Sequence, residues 1–155
     1  MNVDDSARMP ARVSVAGPDD ARAWPEIAAL VGQLSRRAPR LTQEHLESLI
    51  RSDSCQLLIA RDEADRVVGM LTLAVFALPT GLRARIEDVV VDAAHRRNGM
   101  ARHLTLAAIR IARARGARNI DLTSNPSRQP AIRLYEGLGF SRRDTTVFRL
   151  DLNSP

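Results

Sequence analysis

Two periodicities run through the chain, an alternation of apolar and polar residues that marks strands and a 3.6-residue recurrence that marks helices. RVSV at 12–15 alternates and predicts a short strand, and GPDD at 17–20 predicts a turn. From Ala21 to Ser35 the apolar residues Trp24, Ile27, Ala28, Val31 and Leu34 fall at helical spacing, and Pro39 stops that helix. Thr42, with Glu44 and Glu47 following, opens a second helix carrying Leu46, Leu49 and Ile50. CQLLIARD and the run ending in VVGMLTLAVF predict a hairpin turning around Glu63 to Asp65, with Gly69 marking a bulge or a close backbone approach. LPTGLRA reads as a loop and ARIEDVVV at 84–91 as the next strand. A helix from Met100 to about Arg115, a strand NIDLT, a polar turn SNPSRQ and a helix PAIRLYEGLG follow. Two strand candidates, around FSRR and TVFRLDL, close the chain.

ARIEDVVV, the helix from Met100 and NIDLT form a β–α–β unit. Met100, Leu104, Ala107, Ala108 and Ile111 share one face of that helix, and Arg102, Arg110 and Arg113 lie opposite. A helix with one apolar face laid on a sheet predicts an α/β or mixed α+β domain. A chain of 155 residues is sized for one domain. The expectation is a single domain over 1–155, with residues 1–10 a flexible tail.

The longest apolar run falls far short of the roughly 20 residues a membrane span requires, and the N-terminus has no apolar block, so a cytoplasmic protein is expected. All 23 basic residues are arginine, against 18 acidic ones, for a formal net charge of +5. The arginines are scattered rather than gathered in a stripe, so nucleic-acid binding is not the favoured class. The single cysteine, Cys55, excludes an intrachain disulfide, and His45, His95 and His103 have no metal-ligand spacing, so no metal is expected.

The segment HRRNGMA at 95–101 packs two arginines, an asparagine and a glycine where a strand hands over to a helix. A helix start leaves N–H groups without intrahelical partners and favours negative charge. Gly99 permits close backbone approach, Ala101 keeps the next inward position small, and Arg96 and Arg97 can bond phosphate oxygens. Asn98 is a candidate cap. The three-glycine dinucleotide fingerprint and the P-loop lysine are both absent. A solvated basic turn is the competing reading of these residues taken alone.

IEDVVVDAAHRRNGMARHLT followed by NIDLTSNPSRQPAIRLYEGLGF resembles the core of the GCN5-related N-acetyltransferase (GNAT) family, with Arg96, Gly99 and Ala101 matching its turn signature and LYEGLGF its C-terminal segment. The resemblance is closest over residues 84–143. It implies an α+β fold, mainly antiparallel sheet with flanking helices, in which a splayed central β–α–β unit receives acetyl-coenzyme A. It further implies a diphosphate cradled by the backbone of Arg97, Asn98, Gly99, Met100 and Ala101, and a pantetheine arm along Val89, Val90 and Val91. Arg128 stands where many relatives carry a coenzyme-contacting asparagine, and the nearest asparagine is Asn125.

Acetyl transfer to an amine needs a proton acceptor, because alkyl ammonium groups have pKa values of about 10. Strict alternation sets Arg85, Glu87, Val89 and Val91 on one face of their strand and Ile86, Asp88 and Val90 on the other. Glu87 resembles the base some relatives carry on this strand; an ion pair with Arg85 is its alternative reading. Asp88 is expected to point toward helix packing or a cap. Tyr135, the only tyrosine, stands where relatives protonate the departing thiolate. Trp24, Phe76, Leu78 and Pro79 are candidates to line the site of a small-molecule or peptide amine acceptor, with Asp19, Asp20 and Glu26 as acidic residues of unassigned place. His103 reads as a surface residue. Leu106 and Ile109, off the main buried face of their helix, make a homodimer conceivable. A coenzyme-binding regulatory protein without turnover and a basic nucleic-acid adaptor are the alternative classes.

Overall fold

The computed structural model describes residues 12–152; the expected tail at 1–10 lies outside them. The fold divides into two units between Thr123 and Ser124.

The first unit is a five-stranded sheet in the order β1-β2-β3-β4-β5. Its strands are β1 (Arg12–Val15), β2 (Cys55–Arg61), β3 (Val67–Leu78), β4 (Gly81–Val91) and β5 (Ile120–Asp121). Neighbours from β1 to β4 run antiparallel, and β5 joins β4 in parallel. A parallel pair needs a crossover, here supplied by α3 (Met100–Ala114). LPTGLRA is mostly strand rather than loop: β3 and β4 meet in a tight hairpin across Pro79 and Thr80, where Gly81 takes φ 118°.

Helices α1 (Trp24–Leu34) and α2 (Gln43–Ile50) cover one face of the sheet. Ile27, Leu30 and Leu46 meet Leu57, Ile59, Met70 and Val90 there. The turn expected at 17–20 is instead the start of a 3-10 segment, Pro18–Ala23, closed by a Gly17 N–H bond to the Asp20 carboxylate at 2.8 Å. Helix α2 begins as expected, with the Thr42 hydroxyl accepting from the His45 N–H at 3.1 Å. The opposite face carries α3, which buries Met100, Leu104, Ala107 and Ala108 and exposes Arg102, Arg110 and Arg113. Thr105 is also fully buried, its hydroxyl satisfied by the Ala101 carbonyl at 2.7 Å. Gly69 sits at both a register irregularity and a close approach: pairing passes from Ala60 with Gly69 to Arg61 with Val67, and a Cβ at Gly69 would lie 3.4 Å from both Ala60 Cβ and Leu104 Cδ1. Among the described residues no helix is long and apolar enough to cross a membrane.

The second unit holds α4 (Gln129–Gly137) and the segment after it. FSRR and TVFRLDL form no strand, and Val147, Phe148, Leu150 and Leu152 are exposed.

Candidate active site

Strand β4 carries an irregularity that alternation does not announce. Thr72 pairs with Glu87 and Met70 with Val90, so the single residue Leu71 stands opposite both Asp88 and Val89. This is a β-bulge, and Asp88 within it adopts φ 53°, a left-handed conformation uncommon for residues other than glycine. One extra residue inverts the facing of everything beyond it. Val90 therefore shares the face of Met70 and Glu87, and Val91, paired with Gly69, takes the other. The expected grouping of Val91 with Glu87, and of Val90 with Ile86, is corrected accordingly. Asp88, expected toward helix packing, is exposed.

Pairing of β4 with β5 is confined to Ala84 with Ile120 and Arg85 with Asp121. Two flanking bonds, Ala84 N–H to the Asn119 carbonyl at 3.0 Å and Arg118 N–H to the Leu82 carbonyl at 2.9 Å, lie at the same end. From Ile86 to Val91, β4 has no strand beside it on that side among the described residues. An edge of this kind presents peptide groups to which an extended amide-bearing arm can bond.

Glu87 is in an ion pair with the Arg85 guanidinium through Nε. Although Asp88 as a residue is exposed, partial burial of its carboxyl group and then the charge of Glu87 hold that carboxyl above the ordinary aspartate range.

Beyond β4 the chain turns through Asp92 and a short 3-10 segment, Ala93–His95, into the arginine-glycine turn. Arg97 and Gly99 both take left-handed backbone, φ 65° and 74°. Gly99 is the N-cap of α3 and brings no side chain to the helix start, while Arg96 through Gly99 are exposed. A Cβ at Gly99 would meet only the His103 ring, at 3.7 Å. His103 is half-buried rather than a plain surface residue, and its Nδ1 is buried without a hydrogen-bond partner. Arg96 Nε bonds the Val91 carbonyl at 3.3 Å, tying the turn to the end of β4.

The turn is held from behind by a cluster that sequence spacing does not reveal. His95 Nδ1 lies 2.8 Å and its Nε2 3.7 Å from carboxylate oxygens of Asp92 and Asp62, respectively. Gln33 of α1 donates to Asp92 at 2.8 Å and accepts from the Ala93 N–H at 3.0 Å. Bonds from the Gln33 side chain, His95 and the Ala94 N–H hold the Asp92 carboxyl below the usual range. For Asp62, burial pushes upward, but bonds from Arg66 and Ala64 and the Arg66 charge prevail and lower it.

In the second unit, Tyr135 of α4 packs edge-on against Phe140, ring centroids 5.8 Å apart. Burial pushes its phenol above the ordinary value, opposed in part by the Arg128 charge. The Asn125 carboxamide oxygen accepts from the Ser127 N–H and hydroxyl, both at 2.9 Å.

Of the acceptor-lining candidates, Trp24 packs on the core and donates to the Leu41 carbonyl at 2.8 Å, whereas Phe76 and Leu78 are exposed. Two of the three acidic candidates have structural partners: Asp20 pairs with Arg61 at 2.6 Å, and Glu26 accepts from the Val67 N–H at 2.7 Å. Leu106 and Ile109 are half-buried. Among the described residues no three His, Cys, Asp or Glu side chains gather to hold a metal ion.

The bulged strand with an open far edge, running into a glycine-led helix, lies within the part of the chain that matches known acetyltransferases. The chain belongs to the acetyltransferase (GNAT) family, whose model matches residues 22–140. It is 30% identical over 147 residues to a mycothiol acetyltransferase of Renibacterium salmoninarum, covering 90% of this chain and 44% of that protein. A mycothiol acetyltransferase of Streptosporangium roseum is 48% identical over 59 residues, 38% of this chain and 18% of its own length. The chain thus spans less than half the length of these relatives. Among solved structures, an aminoglycoside acetyltransferase from an uncultured soil metagenomic sample superposes with TM-score 0.78 at 26% identity, covering 94% of this chain and all of that one. A putative acetyltransferase from Agrobacterium tumefaciens gives 0.78 at 24%, covering 90% and 99%.

Proposed function

We propose that the protein transfers an acetyl group from acetyl-coenzyme A to an amine by direct attack in a ternary complex. The observation that carries this reading is the exposed turn Arg96–Gly99, led by left-handed Gly99 into α3 and joined to the stretch of β4 that β5 leaves unpaired. The diphosphate would be held by the backbone of Arg97, Asn98, Gly99, Met100 and Ala101, with Arg96 adding charge. The pantetheine arm would bond the edge of Val89, Val90 and Val91. Arg128 and Asn125 are assigned to the coenzyme as well.

In this reading the thioester carbonyl is polarised by a backbone N–H of β4, Glu87 removes the amine proton, and the Tyr135 hydroxyl protonates the departing sulfur. A phenol raised above its usual value stays protonated before reaction, which suits an acid. Relatives named for mycothiol and aminoglycosides direct acceptor trials first to small-molecule amines. A cytoplasmic setting suits an acyl-coenzyme A donor.

The test is acetyl-coenzyme A consumption with spermidine, sisomicin, glucosamine, L-lysine and a short peptide, with acetylated product identified by mass. Tyr135→Phe should lower kcat far more than it raises the coenzyme Kd. Unchanged turnover removes the acid role, and retained coenzyme binding with no turnover on any acceptor favours a regulatory protein instead.

A further inference from the structure

Resting on the transferase reading above, we propose that Gln33 is a positioning residue for the coenzyme: its carboxamide fixes the corner where β4 ends, and through that corner the turn assigned to the diphosphate. Gln33 lies on the exposed side of α1, one residue before the helix ends and 59 residues from Asp92 in sequence. A surface glutamine is ordinarily solvated and exchangeable. This one uses both ends of its amide, donating to Asp92 Oδ1 at 2.8 Å and accepting from the Ala93 N–H at 3.0 Å.

The second of those bonds reaches the backbone that carries the turn. Ala93–His95 is a 3-10 segment with Asp92 as its N-cap, and the first two N–H groups of such a segment have no partner inside it. The Asp92 carboxylate accepts from the Ala94 N–H at 3.2 Å, Gln33 supplies the acceptor for Ala93, and the His95 N–H closes onto the Asp92 carbonyl at 2.8 Å. Asp92 is fastened to the sheet as well, its N–H donating to the Val68 carbonyl at 2.8 Å. On the other side His95 Nδ1 lies 2.8 Å from Asp92 Oδ2, and Nε2 lies 3.7 Å from Asp62 Oδ2 in the β2–β3 turn. Helix α1, strand β3 and the β2–β3 turn therefore meet at this corner, and the next residues along the chain are Arg96 and Arg97. Arg97 is held at φ 65°, a conformation that a residue with a side chain keeps where its surroundings enforce it. Backbone N–H groups fixed before a ligand arrives bind it at a lower ordering cost. Loosening the corner should accordingly weaken coenzyme binding and leave the chemical step on bound coenzyme nearly unchanged.

Three variants test this. Gln33→Leu removes both bonds. Gln33→Glu keeps an acceptor for Ala93 but sets a second carboxylate against Asp92, and adding Asp92→Asn restores that bond with donor and acceptor exchanged. Calorimetric titration with coenzyme A should give a Kd about 5–150-fold weaker for Gln33→Leu, the effect of two hydrogen bonds of ordinary net strength. Gln33→Glu should bind at least about fivefold more weakly than wild type, and Gln33→Glu with Asp92→Asn should return to within about threefold of it. With the acceptor of the amine set that the wild-type protein acetylates fastest, the KM for acetyl-coenzyme A should rise with the Kd, while kcat at saturation stays within about threefold. A folded Gln33→Leu protein that binds coenzyme A within about twofold of wild type overturns the assignment. So does a double variant that binds no tighter than Gln33→Glu, or a kcat that falls while the KM holds. Each of these outcomes leaves the transferase reading standing, whereas wild-type protein that binds no coenzyme A overturns both.

Discussion

Replacing Gly99 with alanine separates two costs that the structure allows to be estimated independently. A Cβ at this position meets only the His103 ring at 3.7 Å, an ordinary contact, so the protein itself has room for the methyl group. The folded state is penalised mainly through φ 74°, where an L-residue loses about 1–2 kcal/mol relative to glycine. For a chain of this size each kcal/mol lowers Tm by about 2–4 °C, so the variant should melt roughly 2–8 °C below wild type and remain folded at 25 °C. Coenzyme binding should suffer differently. The methyl group stands at the helix start, on the surface a diphosphate must approach, and forfeiting one bond to a charged oxygen costs about 1.5–3 kcal/mol. At 1.4 kcal/mol per factor of ten, that is a Kd for coenzyme A roughly 10–150-fold weaker. Calorimetric titration with coenzyme A on folded protein, alongside a thermal melt, reads both quantities. A folded Gly99→Ala protein binding coenzyme A within about twofold of wild type refutes the close-approach argument.

Leu104→Ala should destabilise by about 2–5 kcal/mol, read from urea unfolding midpoints, because Leu104 is fully buried and reaches over Gly69, which has no side chain of its own. Asp92→Asn tests the cluster behind the turn through pH. A carboxyl held below the ordinary aspartate value of about 3.9 stabilises the fold fully above that value, and the contribution is lost as pH falls through the folded pKa. Wild type should therefore exceed Asp92→Asn in stability by a constant margin at neutral pH, and the margin should narrow below about pH 4; a margin indifferent to pH contradicts the assigned bonds.

The elements were legible wherever one face is buried, because burial imposes periodicity. The apolar stripe Met100, Leu104, Ala107 and Ala108 and its exposed arginines follow directly from spacing, and so does the glycine turn before them. The bulge was not legible. Glu87, Asp88 and Val89 read as uninterrupted strand, and only the register against Thr72, Leu71 and Met70 discloses the extra residue that turns Asp88 outward and inverts the facing of Val90 and Val91. The Gln33, Asp62, Asp92 and His95 cluster was hidden for a related reason: Gln33 and Asp62 are far in sequence from the turn that carries Asp92 and His95 and join it only in space. NIDLT looked like a full strand by composition, yet only Ile120 and Asp121 pair, because pairing with β4 is confined to the Ala84–Arg85 end.

A crystal structure of the protein in complex with coenzyme A measures directly where the coenzyme lies. The diphosphate oxygens should sit about 2.7–3.1 Å from backbone nitrogens within Arg97–Ala101, with the pantetheine amides bonded to the β4 edge at Val89–Val91. A diphosphate seated away from that turn, or an arm that leaves the β4 edge unbonded, contradicts that placement.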